Sequence, residues 1–282
     1  MVAGVALIAY PFVSDWFSRI ERDNVQQGYD DTVSETPKED LSSEMEAAQK
    51  YNSDLLRGNN IAADPFDPNK LTDYSDKRYW QILNLNDDGV MGTITIPKLD
   101  VSVPIYHGTG DDVLQKGVGH MATSSLPVGG DSTHAVLAGH TGLPNMVVFD
   151  RLDTLEVGDY FVIHVLDQDL AYRVYEKETV LPDQTESLAV QQGRDLVTLV
   201  TCTPYGVNTH RLLVHAERCD VPAEYYEDNH GVGPAEQATN VIADPVSLFS
   251  LVGGAVALAG SIFLLVQLRR QGRDEAPARR RK

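Results

Sequence analysis

The chain has 282 residues, of which 42% are hydrophobic and 23% are charged, and these values are ordinary for a globular protein. Its length accommodates one or two domains with a core of normal size. The formal net charge of −18 argues against a duplex nucleic-acid partner, because binding to phosphates requires a basic surface.

The N-terminal segment, residues 1–21, opens with the apolar run MVAGVALIAYPFV. This run is short for a membrane span and lacks the basic flank of a signal peptide. It is compatible with a signal-anchor helix whose beginning is missing and, alternatively, with a cleaved signal peptide. Both interpretations predict that the residues that follow are exported.

A helical region is predicted within residues 22–88, which begin with a polar and acidic stretch. The order Thr36-Pro37-Lys38-Glu39 is typical of an N-cap, a proline in the first turn and a capping-box glutamate. Apolar residues then recur at helical spacing, at Leu41, Met45, Ala48, Tyr51 and Leu55. The pattern predicts one amphipathic helix over about 37–57 that packs on the following domain.

A β-rich domain is predicted from about residue 89 to residue 219. Short alternating segments, punctuated by Gly and Pro, predict strands at 93–96, 101–105, 135–138, 160–165, 171–180, 197–201 and 211–216. About seven short strands with turns between them indicate a closed barrel or a sandwich. Residues 220–245 are polar, contain Gly and Pro, and are typical of a stalk.

A membrane span is predicted at residues 246–268, which carry no charged side chain. As a helix this stretch is long enough to cross a hydrocarbon core of about 30 Å. The tail, residues 269–282, holds seven basic and two acidic residues, so the positive-inside rule predicts that it is cytoplasmic. The preceding domain is then expected outside the membrane. The alternative, a buried core helix, does not explain the length of the stretch or its basic flank.

Three residues are candidates for thiol chemistry. Cys202 ends an apolar strand within TLVTCTPYGVNTHRLLVHAE (198–217), and Arg211 lies on the next predicted strand. His140 follows another strand in HAVLAGHTGLPN (134–145). An imidazole transfers protons near neutral pH, and an arginine can hold an oxyanion or orient a carbonyl. Together they are typical of a cysteine nucleophile with its base. The alternative for Cys202 is a small buried hydrophobe.

No cofactor and no metal site is predicted. His134, His140, His210 and His215 could bind zinc in principle, but none has the spacing of a CxxC or HExxH motif. The second cysteine, Cys219, has no role in these patterns. A bridge between the two cysteines would block the nucleophile.

At these residues the sequence resembles the sortases, and specifically their pilus-assembling class C. TLVTC matches the TLxTC motif of the family, TCTPYGVNTHRLLV matches the longer class C form, and VLAGHTGLP matches the region of the catalytic histidine. The runs GVMGTITIPKLDVSVPIYHGT (89–109) and GVGHMATSSLPVGG (117–130) agree as well. The resemblance extends from about residue 50 to residue 217.

The resemblance implies a mainly β fold, an eight-stranded sortase-type barrel with an N-terminal helical and lid segment and a C-terminal membrane helix. It implies that Cys202 attacks an LPxTG-like sorting signal between Thr and Gly, forming a thioester. A lysine amine of a pilin subunit would then resolve the thioester, building covalent pili on a Gram-positive cell. His140 would carry protons, and Arg211 would stabilise the oxyanion or position the signal.

The triplet Asp64-Pro65-Phe66 matches the Asp-Pro-aromatic lid of class C sortases. The resemblance implies that the lid segment, residues 62–68, covers the resting site, with Asp64 on Arg211 and Phe66 over Cys202. An ordinary turn is the alternative, since this composition favours one. We expect a pair of Asp64 with Arg211 near the surface, contributing no more than about 1 kcal/mol.

Three other functions compete with this interpretation. A hydrolytic cysteine peptidase would use the same residues, with water instead of lysine resolving the thioester. A non-enzymatic membrane receptor would only bind through its acidic external domain. A housekeeping sortase would attach proteins to the cell-wall precursor, and both the lid triplet and the C-terminal anchor argue against it.

Overall fold

The computed structural model describes residues 20, 22–57, 64–67, 76–142 and 148–229. The chain divides into two compact units, residues 9–222 and residues 1–8 together with 223–282. The predicted stalk beyond residue 229, the membrane span 246–268, the basic tail 269–282 and the apolar N-terminal run lie outside the described residues. Among the helices that are described, none is both long enough and apolar enough to cross a membrane.

The first unit is built around eight strands that close into a barrel. They are β1 (Val90–Ile96), β2 (Val101–His107), β3 (Val118–His120), β4 (Thr133–Ala138), β5 (Tyr160–Val165), β6 (Gln168–Val180), β7 (Asp195–Thr203) and β8 (His210–Cys219). Their order around the barrel is β1-β2-β3-β4-β7-β8-β6-β5. The predicted closed eight-stranded barrel is therefore confirmed. Strand β3 was missed because three residues are too few for alternation to be visible.

Two strand pairs in this barrel are parallel, β2 with β3 and β4 with β7, and the other six are antiparallel. The parallel pair β4 and β7 matters for the site, because the carboxyl ends of both strands emerge at one end of the barrel. Strand β4 is buried at all six positions. Its last four residues, 135–138, are all apolar, as expected for a strand covered on both faces.

Alternate side chains of β7 face two different apolar clusters. Val197 and Leu199 belong to the large cluster that fills the barrel interior. Val200 faces the other way, into a smaller cluster with Met121, Val136, Leu188 and Leu213. Leu188 comes from the β6–β7 loop, residues 181–194, which contains a short 3₁₀ helix at Glu186–Leu188. The outer face of β7 is therefore covered by a loop, and Cys202 lies on that face, two residues beyond Val200.

The predicted amphipathic helix is confirmed as α2 (Lys38–Arg57), which buries Leu41, Met45, Ala48, Tyr51 and Asn52. The Asn52 side chain donates to the carbonyl oxygen of Leu126 at 3.1 Å and accepts from the amide of Leu126 at 2.7 Å. The side-chain amide of Asn52 thus serves as the hydrogen-bond partner that the backbone of Leu126 would have in a sheet. These two bonds fix α2 to the loop between β3 and β4.

A preceding helix, α1 (22–35), was not predicted. The Thr36 hydroxyl donates to the carbonyl oxygen of Thr32 at 2.7 Å, so Thr36 ends this helix rather than capping α2 as expected. In α1, Tyr29 is buried, and its hydroxyl donates to Met91 and accepts from the amide of Leu166 at 3.2 and 2.8 Å.

Two short helices complete the described structure. Helix α3 (Asp111–Leu114) follows β2. Helix α4 (Ala223–Asn229) belongs to the second unit. It begins inside the segment 220–245 that was predicted as a stalk, so at least the start of that segment is helical.

Candidate active site

Cys202 and Arg211 are direct neighbours across two strands. Strands β7 and β8 are antiparallel, and Cys202 lies opposite Arg211 in their register. Residues that face each other in this way have Cβ atoms about 4.5–5.5 Å apart and point to the same face of the sheet. The Arg211 guanidinium also donates to the carbonyl oxygens of Asn208 and His210, both at 3.2 Å. The β7–β8 turn thus holds the arginine beside the thiol.

His140 reaches the same end of the barrel from the other neighbour of β7. In the parallel pairing of β4 with β7, Ala138 lies opposite Val200. His140 and Cys202 each follow two residues after these partners. The amide of Gly139 donates to the carbonyl oxygen of Val200 at 3.0 Å, which continues the pairing up to the histidine. Three adjacent strands, β4, β7 and β8, therefore carry His140, Cys202 and Arg211 to one place.

Two threonines that the sequence analysis did not single out tie the histidine turn to the cysteine strand. The Thr201 hydroxyl donates to the carbonyl oxygen of Gly139 at 2.8 Å. Its remaining lone pairs accept a hydrogen bond, so the Thr141 hydroxyl at 2.6 Å is the donor. Thr201 precedes Cys202, whereas Gly139 and Thr141 flank His140. This link fixes the backbone of the base relative to the backbone of the nucleophile.

The lid segment lies on this end of the barrel, and the structure describes its residues 64–67. The Asp64 carboxylate accepts two hydrogen bonds from Arg211, from Nε at 2.9 Å and from Nη2 at 2.7 Å. The side chain of Asp64 is 4% exposed and that of Arg211 is 12% exposed. The expectation of a pair near the surface is therefore wrong. The pair is buried and bidentate, so about 1 kcal/mol underestimates what breaking it would cost.

Phe66 lies between the histidine and the arginine. Its ring centroid is 5.8 Å from that of the His140 imidazole, and the Cζ atom of Arg211 lies 5.1 Å from the Phe66 ring centre. The amide of Phe66 donates to Oδ1 of Asp64 at 3.2 Å, which shapes the turn between the two anchors. The ring is thus held by the imidazole and the guanidinium on either side of the thiol.

Beneath the lid segment is a narrow groove of only about 10 Å³, room for about one water molecule, with a largely apolar lining. Asp64 and Pro65 close it on one side, and its lining includes the side chains of Val180, Leu181, Leu188, Val200 and Leu213. Two of these residues belong to or adjoin the β6–β7 loop, and the others come from strands β6, β7 and β8. The groove therefore has a rigid floor made of strands and one wall made of a loop.

Burial favours the neutral forms of both candidate catalytic groups. It raises the pKa of the Cys202 thiol, an effect that Arg211 opposes and Asp64 reinforces. Burial also lowers the pKa of His140, and the nearby carboxylate of Asp111 only partly offsets this. With the lid segment in place, the thiol and the neutral imidazole are therefore the stable pair at neutral pH.

Except for His210, which adjoins Arg211 at the start of β8, the remaining candidates lie away from this site. Cys202 and Cys219 are both free thiols. Cys219 is eight residues from Arg211 along β8, a separation of about 26 Å, so no bridge to Cys202 can form. Within the described ranges, no group of three or more His, Cys, Asp or Glu side chains could hold a metal ion. His134 and His215 instead hydrogen-bond through Thr198, and His210 contacts Thr209 at 2.9 Å.

Comparison with known proteins gives this arrangement a family. Residues 94–219 match the model of the sortase domain. A solved structure of sortase C from Streptococcus pneumoniae is 40% identical, covering 71% of this chain and 98% of its own, with a TM-score of 0.64. The chain belongs to the sortase family. A sortase C-1 structure from Actinomyces oris is 45% identical over 64% of this chain and 99% of its own, with a TM-score of 0.58.

Curated sortases of other classes match over a shorter region. Sortase D of Bacillus subtilis is 31% identical over 130 residues, which is 45% of this chain and 63% of that protein. Sortase A of Streptococcus agalactiae is also 31% identical, over 52% of its length. The chain thus spans between half and two thirds of the curated relatives that it matches. The matches to the two solved class C sortases cover a larger share of this chain, 71% and 64%.

Proposed function

We propose that this sortase is a class C cysteine transpeptidase that joins pilin subunits into covalent pili. The observation that carries the proposal is the convergence of Cys202, His140 and Arg211 under an Asp-Pro-Phe segment that is paired with the arginine. Pilin substrate specificity is described for the S. pneumoniae sortase C structure, which supports the choice of substrate.

In the proposed reaction, the thiol proton of Cys202 passes to His140, and the sulfur attacks the threonine carbonyl carbon of an LPxTG-like signal. Arg211 donates to the oxygen that becomes negative in the tetrahedral intermediate. His140 returns the proton to the glycine nitrogen, which leaves as an amine, and a thioester remains. A pilin lysine amine then attacks the thioester, loses a proton to His140, and releases the thiol as an isopeptide bond forms.

Opening of the lid segment would prepare the site in two ways. It would free the Arg211 guanidinium from Asp64 and clear the groove that Pro65 closes. The apolar lining of this groove suits the leucine and proline of the signal. Opening would also remove burial and the Asp64 charge, both of which raise the pKa of Cys202. The thiolate would therefore become more accessible to substrate and more populated in one step.

We place the barrel outside the cell membrane as part of the same proposal. The support is the uncharged stretch at residues 246–268 followed by the basic tail, which is expected to be cytoplasmic. An external site would meet exported pilins.

Replacing the thiol tests the proposed function directly. Cys202→Ala should abolish pilin polymers in cells, whereas Cys219→Ala should leave them intact, because only the first cysteine lies in the site. With the purified chain, a signal peptide and a lysine-bearing pilin, the product mass distinguishes an isopeptide from a hydrolysed acid. Polymer ladders that survive in cells with only Cys202→Ala would refute the proposal, and hydrolysis alone would favour a peptidase.

A further inference from the structure

A continuous hydrogen-bonded chain crosses four neighbouring strands at a distance from the thiol. His134 Nδ1 contacts the carbonyl oxygen of Ala189 at 3.0 Å, and its Nε2 contacts Oγ1 of Thr198 at 2.7 Å. The same hydroxyl contacts Nδ1 of His215 at 2.8 Å, and Nε2 of His215 contacts Oε1 of Glu178 at 3.1 Å. These side chains come from β4, β7, β8 and β6, which are consecutive in the barrel. His134, Thr198 and His215 are almost completely buried.

The two groups at the ends of this hydrogen-bonded chain determine how many protons it needs. The carbonyl of Ala189 and the carboxylate of Glu178 can only accept, so the four hydrogen bonds between them need four protons. A neutral imidazole carries one N–H and a hydroxyl carries one O–H, so two neutral histidines and Thr198 supply three. All four bonds exist only when the chain has taken up one additional proton.

The groups around the two histidines indicate which of them carries the additional proton. His134 is enclosed, and burial lowers its pKa to about 4, with smaller contributions in the same direction from His215 and Arg194. His215 faces the carboxylate of Glu178, which is partly exposed. The other charged and titratable groups nearby are Glu176, which lies opposite His215 in the β6–β8 register, Tyr175, whose ring lies 6.0 Å from that of His215, and Arg194, which stacks on Tyr175 and pairs with Glu217. His215, unlike His134, contacts a carboxylate, so the additional proton is assigned to His215 on this geometry.

The hydrogen-bonded chain ends at Ala189, on the β6–β7 loop that forms one wall of the groove. Ala189 directly follows Leu188, which lines the groove and packs in the same cluster as Phe66. We propose that the chain His134–Thr198–His215–Glu178 is a one-proton brace that positions the β6–β7 loop and thereby the wall of the groove. Loss of the proton leaves three protons for four contacts, so one hydrogen bond in the connection between the loop and Glu178 is lost and the loop is held less firmly.

The consequence for the reaction rests on the proposed function. If the groove binds the sorting signal, a loosened wall weakens binding but leaves Cys202, His140 and Arg211 in place. The Michaelis constant for a signal peptide should then rise with pH, while the turnover number follows the catalytic residues alone. His134, Thr198 and His215 are in this sense positioning residues.

Glu178→Gln is the decisive variant, because the glutamine amide supplies the missing N–H. With the glutamine N–H, the hydrogen-bonded chain has four protons for its four bonds while both histidines are neutral. The brace therefore no longer depends on pH. Glu176→Gln is the matched control for charge, since Glu176 is an exposed carboxylate that lies opposite His215 in the β6–β8 register, whereas the hydrogen bond to His215 comes from Glu178. Thr198→Val removes the hydroxyl and so interrupts the hydrogen-bonded chain at every pH. Thr198→Ser restores the hydroxyl.

Hydrogen exchange of the β6–β7 loop in the full chain gives a readout that needs no substrate. After correction for the intrinsic pH dependence, exchange in the wild type and in Glu176→Gln should accelerate about fivefold as rising pH removes the additional proton, the size expected for one net hydrogen bond. Glu178→Gln should show no such increase. Thr198→Val should be fast throughout, and Thr198→Ser should behave as the wild type.

Histidine-selective ¹⁵N NMR provides the second readout. At a pH where exchange of the wild-type loop is slow, His215 should show two protonated nitrogens in the wild type and one in Glu178→Gln. A single protonated nitrogen in the wild type, or an equal pH response of loop exchange in Glu178→Gln, would overturn the inference. Because neither readout involves a sorting signal, the brace can be supported even where peptide kinetics refute the proposed function.

Discussion

Replacement of Asp64 tests whether the lid segment gates the thiol. Its carboxylate accepts two hydrogen bonds from Arg211 and one from the amide of Phe66. One side chain thus anchors the segment to the barrel and also shapes its turn. Asp64→Ala removes both functions. Asp64→Asn can keep the hydrogen bond to Phe66 but removes the charge, so the two variants separate turn geometry from ion pairing.

The size of the effect follows from the burial of the pair. A hydrogen bond to a charged group contributes about 1.5–3 kcal/mol net, and here there are two, but part of this gain is offset by desolvation of both ions. When the segment opens, Arg211 gains solvent and is not left as a buried unpaired charge. We therefore expect Asp64→Ala to destabilise the closed state by about 2–3 kcal/mol, which raises the open population about 30- to 150-fold.

The rate at which a small thiol reagent modifies Cys202 measures that population. Mass spectrometry of the intact and digested chain also reports Cys219, which serves as an internal control because it lies at the far end of β8. Cys202 should react about 30- to 150-fold faster in Asp64→Ala and at an intermediate rate in Asp64→Asn, while Cys219 should not change. Equal Cys202 rates in the wild type and Asp64→Ala would refute gating by this segment.

The pH dependence of the same labelling reaction checks the electrostatic part of the argument. In the closed structure, burial raises the pKa of Cys202, Arg211 lowers it, and Asp64 raises it. Opening removes the first and third effects and leaves the second. The midpoint of labelling against pH should therefore be lower in Asp64→Ala than in the wild type, because less alkaline conditions suffice to form the thiolate. An unchanged midpoint would contradict this account.

Two further predictions concern the oxyanion site and the helix anchor. Arg211→Lys should lower kcat/KM for a signal peptide by about a hundredfold or more, because lysine keeps the charge but loses the planar set of donors. Wild-type kinetics would show that only charge matters. Asn52→Ala should lower the free energy of unfolding by about 1–3 kcal/mol in denaturant titrations, since it leaves the buried amide of Leu126 unpaired, whereas the Leu126 carbonyl still accepts from the amide of Val128. The exposed neighbour Ser53→Ala should change it by less than about 0.5 kcal/mol.

The parts of the fold that were predicted are those with a repeating pattern. Helix α2 has an apolar stripe, and most barrel strands alternate or form short apolar runs. Helix α1 was missed because its apolar stripe is narrow: only Val25, Tyr29 and Val33, at four-residue spacing, pack on the core among mostly polar and acidic residues. Strand β3 was missed because its three residues are too few to show a period, although all three are buried.

Proximity in the site depends on contacts that are distant in sequence. Asp64 and Arg211 are 147 positions apart, and only the family resemblance suggested that they meet. The link between Thr141 and Thr201 was not predicted at all, because it requires the parallel pairing of β4 with β7. Sequence spacing contains no signal for such a pairing. Burial of the Asp64–Arg211 pair could not be predicted from the sequence either, since it depends on how the lid segment packs.

The strand directions explain why the three candidate catalytic residues are held rigidly at one end of the barrel, whereas the lid segment and the β6–β7 loop that cover them are attached separately. Because β4 and β7 are parallel, His140 and Cys202 leave their strands at the same end, and because β8 is antiparallel to β7, Arg211 enters there. The three candidate catalytic groups are therefore held by backbone pairing. The lid segment is attached instead by an ion pair, and the β6–β7 loop is attached by the contact of His134 with the carbonyl oxygen of Ala189 and by packing of Leu188. Changes in charge should consequently alter access to the site far more than its internal geometry.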